Sequence, residues 1–563
     1  MRRLGWLAAL ALAACSQQMD PAAERVARAA VFTPPVADDI PAILRGDGPY
    51  IPDFSYAGYR NGDGPLPAPS GTVFDVGDYG AVADDGLDDT KAVEAALEAA
   101  RAADGTVTVR FPEGRFILSD ILYLNRSDLF FTGSNTGRTT LYFPFPLSAL
   151  PTPPAFAELD EYLLEFDKRQ REKDNNVDMP FSLYAWSGGY IWAQPDGHRG
   201  KAYLEKYDDF PEPLTAITGG ARDSVDVTVA DANGLSVGDV LRVEFYNRRG
   251  ENGPILDAIY GDRSRFRKLG GHHWNFPARA LVTQTARVEA VDGNSVRLST
   301  PLMLDPDPAY EPALVPWDLH LENVHIMNFD IEFPNGIRMP HHVEDGFNAV
   351  YLMGLYDSSV RNLTVTNADS AIITDDLGNI TIEDITTTGE HRAHYTVHMG
   401  SVNNVLAQRI TVENDAEHPL SFNTYAVRSV YRDSDVTGRA LLDQHSGANH
   451  QNLFDDIRVT LRLGDEQDRV ALFDGGGAGY WKPSHGRYST FHNIAVEVEG
   501  AEAVDGPITL SGPQDGVEVR MLHVHGNREL AVDYAPDPYF EGLNQRPAFP
   551  SLYDWQRAQR GAD

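Results

Sequence analysis

The feature of this sequence that most constrains its fold is a short phrase that recurs through the second half of the chain. In each copy a polar residue, most often Asn or Asp, precedes an aliphatic residue and then alternating polar and β-branched residues, as in Asn362-Leu363-Thr364-Val365. From Leu363 to Ile457 successive copies are 22, 25, 24 and 23 residues apart. A regular period of this size indicates a solenoid. Because each period holds two or three short strands and no helical pattern, the sequence predicts the coils of a parallel β-helix.

The charge of the chain narrows the kinds of partner that it can bind. The chain has 563 residues, a formal net charge of −35 and a pI near 4.7. Proteins that bind nucleic acid depend on Lys and Arg to contact the phosphates, so this acidic balance argues against a nucleic-acid partner. We expect the protein to be a monomer.

The first residues resemble the export signal of a bacterial lipoprotein. Two arginines precede a short apolar run, Leu4 to Ala14, which is too short to form a stable membrane-spanning helix. The run ends in a stretch that resembles a lipobox, and Cys15 at its end is the only cysteine in the chain. We therefore expect residues 1–15 to be a signal peptide and Cys15 to be lipidated and to anchor the protein to a membrane. Ser16 follows the cysteine where Asp would signal retention, which implies the outer membrane.

Shifts in composition divide the rest of the chain into six segments. An Ala-rich amphipathic stretch from Lys91 to Ala103 predicts a helix that caps the first coil. We expect residues 16–70 to be a tether, residues 71–145 to be N-terminal coils with this capping helix, and residues 146–215 to be an aromatic-rich insertion. We expect residues 216–305 to be a small β insert, residues 306–527 to be the main coils, and residues 528–563 to be a C-terminal tail. The predicted fold class is therefore all-β.

The segment before the predicted helix carries a family resemblance. It contains Asp78-Tyr79-Gly80-Ala81, then Asp85-Gly86, then Asp88-Asp89-Thr90. This phrase resembles the opening of the pectate-lyase-like superfamily, in the branch with rhamnogalacturonase-like and epimerase-like members. The resemblance implies a right-handed parallel β-helix whose N-terminal helix caps the stack, and it says little about the substrate. We assign the three Asp-rich motifs to turns and helix capping rather than to catalysis.

Titratable residues recur at one position of the predicted coils, ten to twelve residues before the aliphatic residue of the phrase. Stacked strands lie about 4.8 Å apart, so such residues should form a ladder along one groove, as expected of a polysaccharide-binding site. The ladder residues on four successive coils are Asp375 with Asp376, His398, Asn423 and His445. The flanking polar residues are His391, Arg392, His394, Tyr395 and His450.

These residue types favour β-elimination from a uronate polysaccharide. That reaction needs a base for the proton next to the uronate carboxylate, a cation to neutralise this carboxylate, and a proton donor. Histidine is the side chain that most readily exchanges a proton near neutral pH. We expect His398 or His445 to be the base, Arg392 the cation, and Tyr395 or the second histidine the acid. The other ladder and flanking residues are expected to bind substrate. No Lys occurs between Lys268 and Lys482, so a lysine base in the central coils is excluded.

Two other functions remain open at this point. A glycoside hydrolase of the same fold could use Asp375 and Asp376, because such enzymes usually need a pair of carboxylates. A glycan-binding lipoprotein without catalysis would show aromatic residues along the groove instead of titratable ones. Apart from Asp375 and Asp376, which could hold calcium, no metal motif of firm spacing occurs, and no cofactor is certain.

A basic stretch in the β insert bears on the charge of the substrate. Basic residues outnumber acidic ones by seven to three between Arg248 and Arg279, the reverse of the balance in the whole chain. Arg265, Arg267 and Lys268 are expected to bind an anionic substrate, and Trp274 is expected to stack on a sugar. The sequence thus predicts a surface-anchored enzyme, foremost a polysaccharide lyase, that acts on an acidic polysaccharide.

Overall fold

A long parallel solenoid forms the body of the protein. The structure is a computed structural model that describes residues 40–45, 48–134, 137–170 (with side chains to 163), 181–198, 210–261, 277–445, 447–477, 483–513, 516–534 and 539–561. Its main sheet has 21 strands, which pair in parallel from coil to coil. The predicted all-β fold, a right-handed parallel β-helix, is confirmed.

The strands wind around three faces, called here the first, second and third sheets. The first sheet contains the stacked residues 324–327, 358–361 and 380–383, the second contains 330–332, 363–366 and 385–388, and the third contains 350–353, 372–375 and 397–399. The strands of the main sheet are Thr72–Asp75, Val107–Arg110, Gly114–Ile117, Leu122–Leu124, Leu129–Thr132, Thr139–Tyr142, Ile191–Ala193, Leu321–Glu322, Val324–Glu332, Asn348–Thr366, Ser370–Thr388, Ala393–Met399, Val402–Asn403, Leu406–Val412, Ala416–Phe422, Val430–Thr437, Leu442–Gln444, Leu453–Leu463, Thr490–Gly500, Arg520–Gly526 and Tyr539–Glu541. A smaller parallel sheet of Arg469–Val470, Ile508–Ser511 and Leu530–Asp533 continues beside the last coils.

The recurring phrase marks the corner between the first and second sheets. At each corner a single residue takes a left-handed backbone, and the residue after it is buried. That residue is aliphatic except at Phe329 and Ser434. Asn and Asp tolerate this conformation better than other residues with a Cβ, which explains why they dominate the position. The corner residues, with φ between 44° and 65°, are Asn328, Asn362, Asp384, Arg409, Asp433, Asp456 and Asn493.

Substitutions at Asn362 should show how strongly this corner depends on backbone conformation. Asn362→Val and Asn362→Gly both remove the hydrogen bond that Asn362 Nδ2 donates to Asn328 Oδ1 over 2.9 Å. Only valine also resists the left-handed backbone. We expect Asn362→Val to lower the free energy of unfolding by about 1–2 kcal/mol more than Asn362→Gly does, as measured by chemical denaturation. Equal losses for the two variants would contradict this explanation of the repeat.

The inside of the solenoid is filled by side chains that stack from coil to coil. Leu363, Ile385 and Ile410 pair in register and are at most 2% exposed. Further along, the rings of Tyr431 and Phe454 stack 5.5 Å apart. Burying one such aliphatic or aromatic side chain is worth about 1.5–3 kcal/mol. The ladders therefore hold successive coils in a fixed register, and this register positions the side chains on the outer faces.

The N-terminal helix closes the first coil as expected. Thr90–Arg101 is helical and buries Val93, Ala96, Leu97 and Ala100 against the end of the stack. Asp88 Oδ1 accepts hydrogen bonds from the Thr90 amide (2.9 Å) and hydroxyl (2.6 Å) at the start of the helix. The other α-helices in the described part of the chain are Ala157–Gln170, Ile255–Tyr260 and Leu552–Arg560. Among the described residues, no helix has both the length and the apolar character needed to cross a bilayer.

The β insert is a closed barrel. Its strands are Thr215–Gly219, Asp226–Val229, Val240–Tyr246, Ala280–Asp292, Ser295–Leu298 and Ala313–Pro316. The last strand lies beyond residue 305, where the sequence suggested that the coils resume, because it pairs antiparallel with the first and third barrel strands. The coils resume at Leu321.

An ion pair at the surface of the barrel explains the role of Asp376. Arg242 Nη2 of the barrel lies 2.5 Å from Asp376 Oδ2, and His198 Nε2 lies 3.3 Å from the same oxygen. Burial alone would raise the pKa of Asp376, but Arg242 and His198 outweigh this effect and lower it to about 2. Asp376 has a left-handed backbone, with φ of 56°, and its carboxylate is engaged by Arg242 and His198. Asp376 therefore attaches the barrel to the coils.

Two segments that composition set apart from the coils are packed against them. Part of the expected tether, around Phe54 and Ala57, forms an apolar core with the C-terminal helix and the outer side of the first sheet. Tyr553 of that helix donates a hydrogen bond to the Ala57 carbonyl over 2.7 Å. Within the aromatic-rich insertion, Tyr190 and Trp192 are fully buried, because Ile191–Ala193 is a third-sheet strand of the second coil.

Candidate active site

A cleft of about 720 Å³ runs beside the third sheet. It is bounded by the ends of third-sheet strands, by the loops before them, and by the aromatic-rich insertion. The insertion contributes the apolar residues Tyr162, Leu163, Phe181 and Trp186. Among the described residues, the histidines that line the cleft are His341, His342, His398, His418 and His445.

The register of the third sheet divides the predicted ladder in two. His398 pairs with Ser421, and Ser421 pairs with Asp443. Asn423 and His445 follow two residues after Ser421 and Asp443 and therefore occupy a neighbouring row. The sequence comparison placed His398, Asn423 and His445 on one row. In the structure Asn423 and His445 are offset by two residues from the row of His398, because coil lengths differ at the corner that precedes the first sheet. Both rows nevertheless open into the same cleft.

A fully buried carboxylate, Asp443, organises one end of the cleft. Its Oδ2 accepts a hydrogen bond from Ser421 Oγ (2.6 Å) and lies 2.9 Å from Nδ1 of both His418 and His445. Its Oδ1 accepts a hydrogen bond from the Gly476 amide over 2.7 Å. Burial alone would raise the pKa of Asp443, but His445 and His418 outweigh burial and hold it well below its usual range. An ionised Asp443 fixes Nδ1 of His445 as the protonated ring nitrogen, so Nε2 is the nitrogen that would exchange a proton with substrate.

A second group of titratable residues adjoins the first, with the His418 ring centred 5.6 Å from that of His394. His394 Nε2 is 3.0 Å from His341 Nε2, and His394 Nδ1 is 3.0 Å from Glu344 Oε1. Burial raises the pKa of the Glu344 carboxyl to about 7 and lowers the pKa of His342 to about 4. Burial also lowers the pKa of His394 well below its usual value. Burial therefore favours the uncharged form of these rings.

Tyr395 connects the two groups from below. Its ring stacks at 4.1 Å on His394 and at 5.2 Å on His418. It is fully buried and does not line the cleft, so the structure places it as a spacer between imidazoles rather than as the proton donor that the sequence suggested. His394 is likewise buried behind His341 rather than exposed to substrate.

Three of the predicted residues form part of the floor of the cleft. Asp375 and His398 both line it and are 1% and 4% exposed. Asn423 also lines it and donates a hydrogen bond from Nδ2 to Ser421 Oγ over 2.7 Å. Asn423 thereby extends the hydrogen-bonded group around Asp443 into the cleft.

Arginines surround the mouth of the cleft. Arg439, Arg462 and Arg469 all line it and have side chains that are 49%, 65% and 51% exposed. Arg392 does not line the cleft itself, but it forms an ion pair with Glu417, which does and which also pairs with Arg439. In a chain with 47 basic and 82 acidic residues, this rim is the part of the cleft suited to an anionic substrate.

The remaining predicted residues lie elsewhere. His391 Nε2 donates a hydrogen bond to Asn335 Oδ1 over 2.7 Å, outside the cleft. His450 is buried, with Nδ1 2.9 Å from the Ala448 carbonyl oxygen, and burial lowers its pKa to about 4. Five predicted residues lie outside the described part of the chain, namely Cys15, Arg265, Arg267, Lys268 and Trp274.

The sequence reasoning missed His341, His342 and Glu344. They lie in the loop between Val324–Glu332 and Asn348–Thr366, which is outside the repeating phrase, so periodicity could not place them. The one available signal was the pair of adjacent histidines followed by a glutamate two residues later. The sequence reasoning likewise gave no role to Asp443, whose observed contacts are with histidines.

A larger groove of about 1880 Å³ lies on the other side of the solenoid, near the C-terminal helix. Its charged residues form ion pairs with one another, as the arginines at the rim of the smaller cleft also do with nearby carboxylates. Arg409 pairs with Glu383 (2.6 Å) and Asp384 (2.7 Å), and Arg432 pairs with Asp554 (2.6 Å). The smaller cleft is the better candidate, because it brings together groups that can exchange protons.

Among known proteins, the chain is similar only to solved structures. No family model matches the chain, and no curated protein matches it. The tailspike protein gp49 from Pseudomonas phage LKA1 is 12% identical, with a TM-score of 0.41 and coverage of 83% of each chain. A hyperthermoactive exopolygalacturonase from Thermotoga maritima is 11% identical, with a TM-score of 0.35 and coverage of 85% of this chain and 94% of that one. A family 28 exopolygalacturonase from Yersinia enterocolitica is 11% identical, with a TM-score of 0.31 and coverage of 85% and 79%. The function of the cleft therefore has to be inferred from its own residues.

Proposed function

We propose that this protein is a polysaccharide-processing enzyme and that it cleaves an acidic, uronate-containing polysaccharide by β-elimination in the histidine-lined cleft. The observation that carries the proposal is the Asp443–His445 pair, in which a buried carboxylate lies 2.9 Å from Nδ1 of an imidazole that lines the cleft. A histidine oriented in this way is suited to general acid–base chemistry near neutral pH.

The residues of the cleft can be assigned to the steps of an elimination. His445 would take the proton from the carbon next to the uronate carboxylate, and Arg439 on the rim would neutralise that carboxylate. A carbon–carbon double bond then forms as the glycosidic carbon–oxygen bond breaks, and His398 would give a proton to the departing oxygen. Positioned groups of this kind contribute typically about 10²–10⁴-fold each.

A hydrolase mechanism has less support from the same cleft. Hydrolysis usually needs two carboxylates that act on one glycosidic bond. Asp376 is held by Arg242 of the barrel, which removes it as a partner for Asp375. Glu417 lines the cleft, but it is paired with Arg392 and Arg439.

Incubation with a panel of uronate polysaccharides separates the alternatives. A lyase produces unsaturated products that absorb at 235 nm, and a hydrolase produces reducing ends without this absorbance. We expect both signals to rise together for at least one substrate. Reducing ends alone would replace elimination with hydrolysis, and binding without either signal across the panel would replace the enzyme with a glycan-binding protein.

We also propose that a lipid at Cys15 anchors the protein to the outer membrane, on the evidence of the N-terminal sequence alone. A single acyl chain binds a membrane only marginally, whereas several chains hold it stably. Cys15→Ala should therefore shift the protein from the membrane fraction to the soluble fraction of cells that express the full chain. A variant that stays in the membrane fraction would contradict the lipid anchor.

A further inference from the structure

We propose that His341, His342 and His394 bind a divalent first-row transition-metal ion, with zinc as the model, at the wall of the cleft. Their ligand nitrogens all lie within 4.8 Å of one another. The inference concerns the binding of an ion and stands whether or not the elimination proposed above occurs.

The facing nitrogens of His341 and His394 are arranged as two ligands of one ion would be. Their Nε2 atoms are 3.0 Å apart, so hydrogens cannot occupy both nitrogens, and at least one presents its lone pair to the other. Two nitrogens bound tetrahedrally to zinc at about 2.0–2.1 Å would be roughly 3.3–3.4 Å apart. A shift of a few tenths of an ångström would therefore admit the ion.

A buried carboxylate lies against the His394 ring on the side away from His341. Glu344 Oε1 lies 3.0 Å from Nδ1 of His394, on the side opposite His341. Histidines that bind metals almost always present their other nitrogen to such a carboxylate, carbonyl or water, which fixes the ring and its tautomer. His394 Nδ1 makes no aligned hydrogen bond among the described residues, but the nearby Glu344 carboxylate occupies that side of the ring, which leaves Nε2 as the ligand atom.

A further histidine is placed to complete the coordination. The ring of His418 is centred 5.6 Å from His394 and 5.8 Å from His341, and its Nδ1 lies 2.9 Å from Asp443. Both of its ring nitrogens are buried, and neither makes an aligned hydrogen bond in the described part of the chain. His418 therefore repeats the carboxylate-backed arrangement of His394 at a distance from which a rotation of the ring could bring a fourth nitrogen to the ion.

The backbone of the loop holds two of the ligands side by side. His342 has a φ of 75°, a left-handed conformation that is uncommon for a residue with a Cβ and that concentrates at functional sites. This conformation places the rings of His341 and His342 with their centres 3.7 Å apart. Consecutive residues thus face the same point.

The ligand chemistry selects the kind of ion. Imidazole nitrogen suits zinc, copper, nickel and iron, whereas calcium takes oxygen ligands. Of the two residues considered as calcium ligands, Asp375 and Asp376, Asp376 is already paired with Arg242, which disfavours a cation there. The histidine group is therefore the more suitable metal site in the described part of the chain.

Titration of the full-length protein, prepared without a histidine tag and stripped with a chelator, tests the inference. We expect calorimetry to show one tightly bound Zn²⁺ per chain, and Co²⁺ to give the visible absorption of a nitrogen-ligated ion. Glu344→Gln should weaken Zn²⁺ binding by about 10–100-fold, and His341→Ala, at the exposed end of the group, should weaken it further. His523→Asn is the matched control, because it removes an imidazole at a distant corner with φ of 59°, which Asn tolerates.

Two results would overturn the metal site. Wild-type protein that binds no Zn²⁺ at micromolar concentration would exclude it. A His341→Ala variant that binds one Zn²⁺ as tightly as the wild type would place the ion elsewhere, with the His418, Asp443 and His445 group as the next candidate. Neither result depends on enzymatic activity, so neither bears on the proposed elimination.

Discussion

Replacement of His445 with alanine is expected to lower kcat on a uronate polysaccharide by at least about 100-fold while the protein stays folded. His445 lines the cleft, and its Nδ1 contact with buried Asp443 orients the ring. Loss of the ring removes the group that would exchange a proton with substrate, but it opens no cavity in the core of the solenoid. His398→Ala should cause a loss of the same order, because His398 faces the same cleft.

Steady-state kinetics with matched variants would separate a chemical role from a structural one. His523→Asn should keep the wild-type kcat, since its imidazole lies at a corner between the first and second sheets. Asp443→Asn should lower kcat with little change in KM, because it disturbs the orientation of His445 rather than the binding of substrate. A double variant of His398 and His445 with near-normal turnover would exclude both as acid or base and would bring Asp375 and Glu417 forward.

Replacement of Asp455 with leucine is expected to lower the free energy of unfolding by about 3–5 kcal/mol. Asp455 is fully buried, and its carboxylate accepts hydrogen bonds from Ser551 Oγ (2.7 Å), the Leu552 amide (3.0 Å) and the Tyr553 amide (3.0 Å) at the start of the C-terminal helix. It also lies 2.7 Å from Nδ1 of buried His492. Leucine leaves all of these donors without a partner inside the protein.

The pH dependence of unfolding provides a second test of Asp455. Burial alone would raise its pKa, but the contacts with His492 and Ser551 outweigh burial and lower it. A carboxyl with a lowered pKa stabilises the fold above its unfolded pKa of about 3.9 and loses this contribution as the pH falls through the folded value. The gap between wild type and Asp455→Leu should therefore narrow below about pH 4. Asp384→Asn, which weakens a partly exposed ion pair with Arg409, should cost less than about 1 kcal/mol, and an equal loss for both variants would contradict the assigned role.

The period of the sequence located the coils because each coil needs the same backbone conformation and the same kind of buried residue at its corner. A left-handed corner favours Asn or Asp, and the residue after it must fill the core, so Asn362-Leu363 and its equivalents are visible in the sequence. The capping helix was visible for a similar reason, since Asp88 satisfies its first amide. The lipid anchor at Cys15 stays a prediction, because it lies outside the described residues.

Contacts between segments that are distant in the chain could not be predicted from the sequence. Asp375 and Asp376 are adjacent in the chain, yet only the backbone at Asp376 and the approach of Arg242 decide that they face different neighbours. His341 and His342 reach the cleft from a loop without a repeat. The offset between His398 and Asn423 depends on the exact length of each coil, and an error of two residues moves a side chain to the next row.

The most direct test of the active-site assignment is a crystal structure of the inactive His445→Ala variant with a bound uronate oligosaccharide. We predict that the sugar occupies the cleft beside the third sheet, with a carboxylate within ion-pair distance of Arg439, Arg462 or Arg469 and a ring next to His398. An oligosaccharide bound instead in the larger groove near the C-terminal helix, with the histidine-lined cleft empty, would contradict the assignment.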